Sequence, residues 1–482
     1  MGKKCFVSEN HFLLISLILA AVILVNSFSN TQVSALKEKQ KSLIPTKQYD
    51  LLVITTKTFA HLLTPLIKHK EEVGISTKLV TLHDVYKQMF WQGRDEPEKI
   101  KYFIKNAIEK WNIKYVLLVG GVKQIPVRYS NVHCFNLDEP GWKNHLLKSR
   151  FISDLYYADI YDSSGNFSSW DSNNNGVYGE WTDNDAEDKG IDLYPDVYVG
   201  RLPCRNKIEV KIMVNKIISY ERNSYGKPWF KNVVVVAGDT DPRWWIPRWR
   251  KYEGEVTAHE ILEYMKGFNH IKLFPSNGKL KGRKDVINAI NKGCGFIYFN
   301  GHGNPLGCVT FKPRTYEWVR CIDIYTIPFL FNGRKLPICI IGACSSCDFS
   351  ASILNIFNET AASEALFAPE CWGWWITRKI GGGAIATIGS TGIGFVNLDK
   401  RSGIGAGSYL EKRFFWEYGV NNTEILGEMW GKAIKNYLDT FPINWSEYAG
   451  SDSSIDAETV ESYILIGDPT LKIGGYPLGK IR

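Results

Sequence analysis

Short apolar runs alternate with segments of helical spacing along the first half of the chain. Apolar runs lie at 49–55, 77–81 and 114–121, and helical spacing separates them at 60–72 and 97–111. Uninterrupted apolar runs are typical of parallel strands that are covered on both faces. Strands that alternate with helices predict an α/β fold with a mostly parallel sheet between layers of helices.

The second half repeats this alternation and adds three apolar runs that end in glycine-containing turns. The alternating strands and helices are predicted at 232–237, 254–264, 271–274 and 282–291. The three further runs are 295–300, 337–341 and 383–388. In open parallel sheets the ligand-binding crevice lies at the carboxyl ends of the strands. We therefore expect the chemistry of the protein just after the last three runs.

Two polar stretches divide the chain. The stretch 124–192 is predicted to be a long insertion at the edge of the first sheet, and the linker 222–227 is predicted to mark a boundary. The expected organisation is a first α/β subdomain at 48–225 and a second subdomain, which carries the chemistry, at 226–476. The predicted fold class is therefore α/β, with two adjacent three-layer subdomains and mostly parallel sheets.

The N-terminus has the pattern of a secretory signal. Lys3 and Lys4 precede an apolar run at 12–25, and small residues follow at 33–35. This order is typical of signal peptides, and the run is short for a membrane span. We predict a signal peptide at 1–35, with an uncleaved N-terminal anchor as the alternative and as the only membrane contact. The chain is expected to be secreted or held at the extracellular surface.

Charge and cysteine content further limit the partners and the chemistry that the chain can have. The net charge of +8 is spread over 482 residues without a basic stripe, which argues against a nucleic-acid partner. Of the ten cysteines, nine remain once Cys5 leaves with the signal. An odd number leaves at least one thiol unpaired, as a catalytic cysteine would be.

A histidine and a cysteine each follow one of the late apolar runs. His302 stands two residues after 295–300, and Cys344 stands three residues after 337–341, both among small residues. A cysteine thiolate is a strong nucleophile, and an adjacent histidine can hold its proton and later protonate a leaving amine. The backbone N–H groups of Gly303 and Cys344 are candidate donors to the oxyanion that forms. The pair predicts a cysteine endopeptidase with Cys344 as nucleophile and His302 as general acid/base.

Three other interpretations use the same part of the sequence. Cys344 and Cys347 form a Cys-x-x-Cys pair, which is a redox couple in thioredoxin-like proteins, although the Trp-Cys-Gly-Pro surroundings of that fold are missing here. His302 and Cys308 could complete a zinc site with those two thiolates. The fold could also be a catalytically silent extracellular binding or adhesion module. The presence of both His302 and Cys344 favours the peptidase.

A polar loop within the insertion has the spacing of a calcium site. Oxygen-bearing residues stand at every second position from 171 to 175, followed by Gly176, as in the first half of an EF-hand loop. Thr182 stands where that loop has its closing Glu, so a neighbouring carboxylate is expected to close the site, with Asp185 or Glu187 as alternatives to Asp183. The candidate ligands are Asp171, Asn173, Asn175, Val177 and Asp183. We expect a structural Ca²⁺ that orders an insertion lacking a core of its own.

Together these motifs resemble the gingipain family of cysteine peptidases, within the caspase-like clan. The resemblance runs from about residue 48 to 475, and its matching segments are 49–55, 114–120, 194–201, 300–303, 343–344, 389–391 and 466–471. It implies a caspase-like fold of two adjacent α/β subdomains with catalysis in the second. It also implies protein or peptide substrates.

The resemblance assigns roles to further residues. Asp196 matches an acidic residue expected to orient the catalytic histidine, although a strand-end carboxylate without a catalytic role explains it equally well. The residues that match the loop lining the family's specificity pocket are Ser390, Thr391, Ile393 and Phe395. Ile393 and Phe395 are apolar where the family's loop is more polar, so the family's preference for Arg or Lys is not carried over.

Overall fold

The apolar runs of both halves form the strands of one large β-sheet. The computed structural model describes residues 48–134, 147–182, 184–242, 252–357, 368–395, 406–477 and 479. The predicted signal at 1–35 lies outside these residues. The described residues from Tyr49 onward belong to one compact unit.

The strands and helices alternate in the order that the sequence predicts. The strands are β1 (Leu51–Thr55), β2 (Thr77–Thr81), β3 (Tyr115–Val119), β4 (Tyr129–Cys134), β5 (Leu147–Ile152), β6 (Tyr198–Leu202), β7 (Asn232–Val236), β8 (Asn269–Leu273), β9 (Phe296–Asn300), β10 (His302–Asn304), β11 (Gly307–Phe311), β12 (Trp318–Asp323), β13 (Ile338–Gly342), β14 (Ala386–Ser390) and β15 (Tyr463–Ile466). The α-helices are α1 (Lys57–Ala60), α2 (Thr64–Glu72), α3 (Leu82–Gln88), α4 (Glu96–Trp111), α5 (Lys207–Asn223), α6 (Glu253–Tyr264), α7 (Arg283–Lys292), α8 (Trp372–Arg378), α9 (Ala406–Gly419), α10 (Leu426–Thr440) and α11 (Asp452–Ser462).

Ten strands form the central sheet in the order β2-β1-β3-β6-β15-β14-β13-β9-β7-β8. Neighbouring strands are parallel except for β14 and β15, which are antiparallel. The strands of the two halves therefore run in opposite directions, and β15 joins them. The predicted α/β class with a mostly parallel sheet is confirmed.

Strand burial follows from this architecture. All five residues of β1, β3 and β9 are buried, as expected of parallel strands with helices on both faces.

Helix α4 shows how a helix that covers the sheet begins and ends. The Asp95 side chain accepts the Glu98 N–H at its start, and Asn112 ends it with φ of 57° in the left-handed region.

A buried ionic cluster ties the two ends of the chain together. The Lys70 ammonium on α2 lies 2.9 Å from Glu221 on α5 and 2.7 Å from Asp468, just after β15. The Glu221 carboxylate also contacts the His69 ring at 2.8 Å. Burial alone would lower the pKa of Lys70, but the Asp468 and Glu221 carboxylates raise it above its ordinary value. The charged Lys70 ammonium is therefore held by two carboxylates inside the protein.

The insertion has a core of its own, so the expectation that it lacks one is wrong. Trp170 and Trp181 are completely buried, and Tyr156 and Tyr157 are buried beside them. The Tyr156 ring packs edge-on against Trp170, with centroids 5.6 Å apart. The insertion is thus stabilised by large aromatic side chains.

Two features of the fold are missing from the sequence-based prediction. One is a three-stranded antiparallel sheet formed by β10, β11 and β12, and the other is the antiparallel return of β15 into the centre of the main sheet. Within the part of the chain that the structure describes, every helix is too short or too polar to cross a lipid bilayer.

Candidate active site

His302 lies at the carboxyl end of β9, where the chain passes into β10. The Gly301 N–H donates to the Gly342 carbonyl at 3.0 Å, so this turn is fixed to the end of β13. A Cβ on Gly301 would lie 2.4 Å from the Val309 carbonyl oxygen, so the close approach of β11 requires glycine there. The His302 ring itself is exposed.

Aromatic rings and one carbonyl hold the His302 ring. It packs edge-on against Phe311 and Trp318, with centroid distances of 5.6 and 5.3 Å. Its Nε2 atom lies 2.6 Å from the Thr240 carbonyl oxygen. A carbonyl only accepts, so Nε2 carries the proton and Nδ1 of the neutral ring keeps a lone pair. The ring is therefore set up to take a proton at Nδ1.

Cys344 lies two residues beyond β13, at the neighbouring strand end. Cys344 is half-buried, in contrast to the buried cysteines Cys204, Cys294, Cys308, Cys321, Cys339, Cys347 and Cys371. Burial raises the pKa of the Cys344 thiol, and the Gly394 N–H, which donates to Sγ at 3.3 Å, partly offsets this. Ser345 follows with φ of 48°, an unusual left-handed conformation that turns the chain sharply behind the thiol.

Cys344 and His302 face one cavity of about 210 Å³. Among the hydrogen bonds of the described residues, none joins the thiol to the ring. The two groups therefore flank a space in which a substrate carbonyl can lie, and loose contacts between catalytic groups are common before substrate binds. The other non-glycine residues that line this cavity are Thr240, Asp241, Asn300, Ala343, Phe395, Ser408, Glu411 and Tyr463.

The predicted oxyanion residues lie side by side. A Cβ on Gly303 would lie 2.7 Å from the Ala343 Cβ and 3.3 Å from the Cys344 carbonyl oxygen. The backbones of Gly303 and Cys344 therefore lie close together. This approach requires glycine at position 303.

Asp196 lies far from the histidine that it was expected to orient. It precedes β6, and three strands separate β6 from β9 in the sheet. Its carboxylate accepts the N–H groups of Ile160 and Tyr161 at 2.7 and 2.9 Å, so it anchors the insertion. The structure therefore does not bring Asp196 and His302 together, and the hydrogen bond that the structure gives the ring is to the Thr240 carbonyl.

The predicted pocket loop supports the cysteine from behind. Ser390 and Thr391 are buried, and Thr391 Oγ1 donates to the Ile152 carbonyl at 2.6 Å. Ile393 is half-buried, and of the four predicted pocket residues Phe395 alone lines the cavity. The loop holds the turn behind the thiol through the Ser345 N–H, which donates to a loop carbonyl at 2.7 Å.

Two groups at the site escape sequence motifs. Glu411 on α9 is buried under the cavity, where the hydroxyls of Tyr298 and Tyr463 each donate to its carboxylate at 2.5 Å. Burial raises the pKa of Glu411. The second group is the Thr240 carbonyl, fixed because the Thr240 hydroxyl donates to Glu253 at 2.9 Å. A backbone carbonyl gives no signal in the sequence. Glu411 is one of several polar residues in α9, and no motif singles it out.

The alternative uses of the cysteines receive little geometric support. Cys347 is fully buried, and burial raises the pKa of its thiol well above the ordinary value, whereas Cys344 is partly exposed. The two thiols are not bonded to each other. Among the described residues, no three His, Cys, Asp or Glu side chains are placed to hold a metal ion, including His302, Cys308 and the two thiols.

The calcium-type loop folds as a series of tight turns. The N–H groups of Asn175 and Gly176 donate to the Asp171 carboxylate at 3.0 and 3.1 Å. The Asn173 side chain accepts the Asn175 N–H at 3.0 Å, and the Asn175 side chain accepts the Val177 N–H at 2.7 Å. Gly176 has φ of 82°, which explains glycine at that position.

Carboxylates gather behind this loop. Asp188 accepts the N–H groups of Ser172 and Glu180, and burial beside Asp171 and Glu180 raises the pKa of Asp188 to about 6. The Arg94 guanidinium pairs with Asp171 at 2.8 Å. Hard oxygen donors of this kind suit Ca²⁺, and a cation would relieve the cost of charging Asp188. Asp183 lies outside the described residues.

Comparisons with known proteins place the chain in a family. The model of peptidase family C25 matches residues 44–474. Gingipain R2 of Porphyromonas gingivalis is 22% identical over 320 residues, which cover 66% of this chain and 34% of the relative. Gingipain R1 of the same organism is also 22% identical over 320 residues, covering 66% of this chain and 25% of the relative. The chain thus spans about a third or less of the length of these curated relatives.

Solved structures with the same fold agree. The crystal structure of the Arg-specific cysteine proteinase gingipain R has a TM-score of 0.58 at 19% identity, covering 89% of this chain and 79% of that one. The complex of the pro- and mature domains of Porphyromonas gingivalis RgpB has the same TM-score and identity, with 88% and 79% coverage. The resemblance to the gingipains and the caspase-like α/β fold are thereby confirmed, and the chain belongs to peptidase family C25.

Proposed function

We propose that the protein is a cysteine endopeptidase that hydrolyses peptide bonds in protein or peptide substrates through Cys344 and His302. The observation that carries the proposal is that a partly exposed thiol and an exposed imidazole face one cavity at the carboxyl ends of β13 and β9. The membership of the chain in a peptidase family supports the same chemistry.

The geometry suggests an order of steps. The thiol proton passes to Nδ1 of His302, whose Nε2–H stays on the Thr240 carbonyl. The sulfur then attacks the substrate carbonyl carbon, and the resulting oxyanion accepts the N–H groups of Gly303 and Cys344. Protonated His302 returns its proton to the leaving amine as the C–N bond breaks, which leaves a thioacyl-enzyme. Water, deprotonated by His302, hydrolyses the thioester and restores the thiol.

Covalent trapping tests this assignment. A peptidyl acyloxymethyl ketone should form one adduct per molecule, located at Cys344 by peptide mapping. Cys344→Ala should form none, whereas the matched control Cys347→Ala should be labelled as the wild type is. His302→Ala should react at least about 100-fold more slowly, the usual contribution of a general base. Equal labelling of several cysteines, or labelling at Cys347, would argue against the mechanism.

We also propose that Ca²⁺ binds the loop in the insertion in a structural role. The residues that would hold it are Asp171, Asn173, Asn175 and Val177, with Asp183 or Asp188 as the closing carboxylate. When bound, the ion would offset the gathered negative charge, and it takes no part in the reaction. The turns at Asp171 and Gly176 and the raised pKa of Asp188 support this proposal.

Thermal unfolding tests the calcium proposal without an activity assay. Millimolar CaCl₂ should raise the Tm by a few degrees relative to chelator, because a ligand that binds only the folded state stabilises it. Asp171→Ala should remove this difference, and Asp162→Ala, which changes a carboxylate elsewhere in the insertion, should keep it. Identical Tm values with Ca²⁺ and with chelator would refute the site.

We further propose that the protein acts outside the cytoplasmic membrane after its N-terminal segment has served as an export signal. The basic, apolar and small-residue order at 1–35 supports this proposal. Mass determination of the protein purified from its native host should give an N-terminus near residue 36. An intact N-terminus in a membrane fraction would instead favour the anchor.

A further inference from the structure

A second groove adjoins His302. It encloses about 430 Å³ along the small sheet β10–β12, and its walls include Leu306, Val309, Arg320 and Tyr325. His302 lines both this groove and the cavity that holds Cys344. The His302 residue therefore borders both the groove and the catalytic cavity.

Arg320 connects this groove to a second recess. That recess of about 530 Å³ is lined by Lys281, Arg283, Lys284 and Trp318, and Arg320 lines both spaces. Arg320 and Trp318 are both exposed on the edge strand β12. The groove beside His302 thus shares Arg320 with a recess rich in basic side chains.

The charges along this surface do not cancel. Asp323, which lines the groove, is paired with Arg283. The Asp285 carboxylate accepts hydrogen bonds from the N–H groups of Lys281 and Gly282 at the start of α7. Lys281, Lys284 and Arg320 are exposed, and no ion pair or side-chain hydrogen bond engages their charged groups among the described residues. Three cations therefore remain for a ligand, and of these three Arg320 is the one that lines the groove together with His302.

The chemistry at His302 indicates which part of a substrate passes here. The imidazole must protonate the leaving nitrogen, so the segment that follows the scissile bond leaves on the His302 side. The acyl part stays on Cys344 in the other cavity. The groove beside Arg320 is thus placed to receive the residues after the scissile bond.

We propose that this groove binds the leaving-group side of the substrate and selects for carboxylates there, with Arg320 as the specificity-determining residue. The inference rests on the proposed peptidase function, because that function assigns the direction of the substrate. The carboxylate can come from an Asp or Glu side chain or from the free C-terminus of a peptide. A guanidinium recognises both through paired N–H donors, and Lys281 and Lys284 add attraction at longer range.

Cleavage of matched peptides tests the proposal and separates the two sources. Quenched peptides with one common acyl side would carry Glu-Glu or Gln-Gln after the scissile bond, each as a free acid and as an amide. We expect kcat/KM to be about two- to fivefold higher for a carboxylate-bearing peptide, the range of one exposed ion pair, and the advantage to fade at high salt. If the Glu-Glu amide is cleaved faster than the Gln-Gln amide, the groove recognises the side-chain carboxylate. If a free acid is cleaved faster than its own amide, the groove recognises the C-terminal carboxylate.

Two arginine variants decide whether Arg320 is responsible. Arg320→Gln should reduce the ratio of acidic to neutral cleavage toward one. Arg334→Gln removes the same charge from an exposed arginine before β13, at the opposite end of the sheet, and should keep the ratio. Equal cleavage of acidic and neutral peptides by the wild type, or a ratio unchanged by Arg320→Gln, would overturn the proposal.

Direct binding separates this inference from the peptidase function. Fluorescence anisotropy of a labelled Glu-rich peptide and of its Gln counterpart would be measured on full-length Cys344→Ala, with and without Arg320→Gln. Tighter binding of the Glu peptide that is lost with Arg320→Gln supports the groove even if no peptide is cleaved. Equal binding of both peptides refutes the proposed carboxylate selection by the groove, even if the wild type cleaves them.

Discussion

At the scale of single residues, the resting site holds a thiol, that of Cys344, whose pKa is raised by burial. The His302 ring donates its Nε2 proton to the Thr240 carbonyl. The raised pKa disfavours a thiolate at Cys344 before substrate arrives. In the mechanism proposed above, the thiolate forms when substrate fills the space between the two groups.

Alkylation kinetics check this protonation state. Because the pKa of Cys344 is raised, the fraction of thiolate grows with pH up to and beyond the ordinary range of a thiol. The rate of iodoacetamide reaction at Cys344, read by peptide mapping, should rise steadily from pH 6 to pH 10. A plateau already reached below pH 7 would reveal a stable ion pair and contradict the structure.

Glu461 predicts a pH dependence of stability. This buried residue accepts a hydrogen bond from the Ser130 hydroxyl, and burial raises its pKa from 4.5 to about 8. The folded state therefore holds the proton more tightly than the unfolded state. The contribution of Glu461 to stability is greatest at low pH and is lost as the pH rises from about 4.5 to about 8.

Glu461→Gln should remove this dependence, since an amide keeps an oxygen for Ser130 and carries no charge. The variant's gain in free energy of unfolding over the wild type should be about 1–3 kcal/mol larger at pH 8 than at pH 5. This is the cost of a poorly compensated buried polar group. Urea denaturation at both pH values measures the difference. If the difference in free energy of unfolding between the variant and the wild type is the same at both pH values, Glu461 does not titrate in this range.

At the scale of elements, the site depends on the contact between the turn after β9 and the turn after β13. Gly303→Ala would place a methyl group 2.7 Å from the Ala343 Cβ, and both backbones are held by strands. We expect a loss of about 1–3 kcal/mol in stability and at least a tenfold loss in kcat/KM, because the oxyanion donors would shift. Wild-type kcat/KM in Gly303→Ala would contradict this account.

The sequence predicts those elements that carry a local pattern. The buried runs of β9 and β13, and the reactive residues that follow them, can be found without a structure because apolar runs and glycine turns are local signals. The sheet β10–β12 has short, partly exposed strands with a bulge near Cys308, so no clean alternation marks it. The Thr240 carbonyl and Glu411 reach the site through tertiary packing, which leaves no motif.

At the scale of the whole molecule, one sheet unites the two predicted subdomains. β15 pairs with β6 of the first half and with β14 of the second, and the Lys70 cluster ties α2 to the segment after β15. We therefore expect cooperative unfolding in a single calorimetric transition. Two separate transitions would instead indicate independent subdomains at 48–225 and 226–476.

Lys70→Met tests the cluster within this unit. The substitution leaves the Glu221 and Asp468 carboxylates buried without their cation, and breaking a buried ion pair costs about 3–5 kcal/mol. The Tm should fall sharply, whereas Lys68→Met, at an exposed position of the same helix, should leave it nearly unchanged. Similar Tm values for the two variants would contradict the buried cluster.

Cleavage of a peptide library by the full chain tests the central claim most directly. Wild type, Cys344→Ala and Cys347→Ala would be compared under reducing conditions with Ca²⁺ present. The account predicts cleavage by the wild type and by Cys347→Ala, and none by Cys344→Ala. Equal cleavage by the wild type and Cys344→Ala, or cleavage stopped by a chelator and spared by a thiol-blocking reagent, would contradict it.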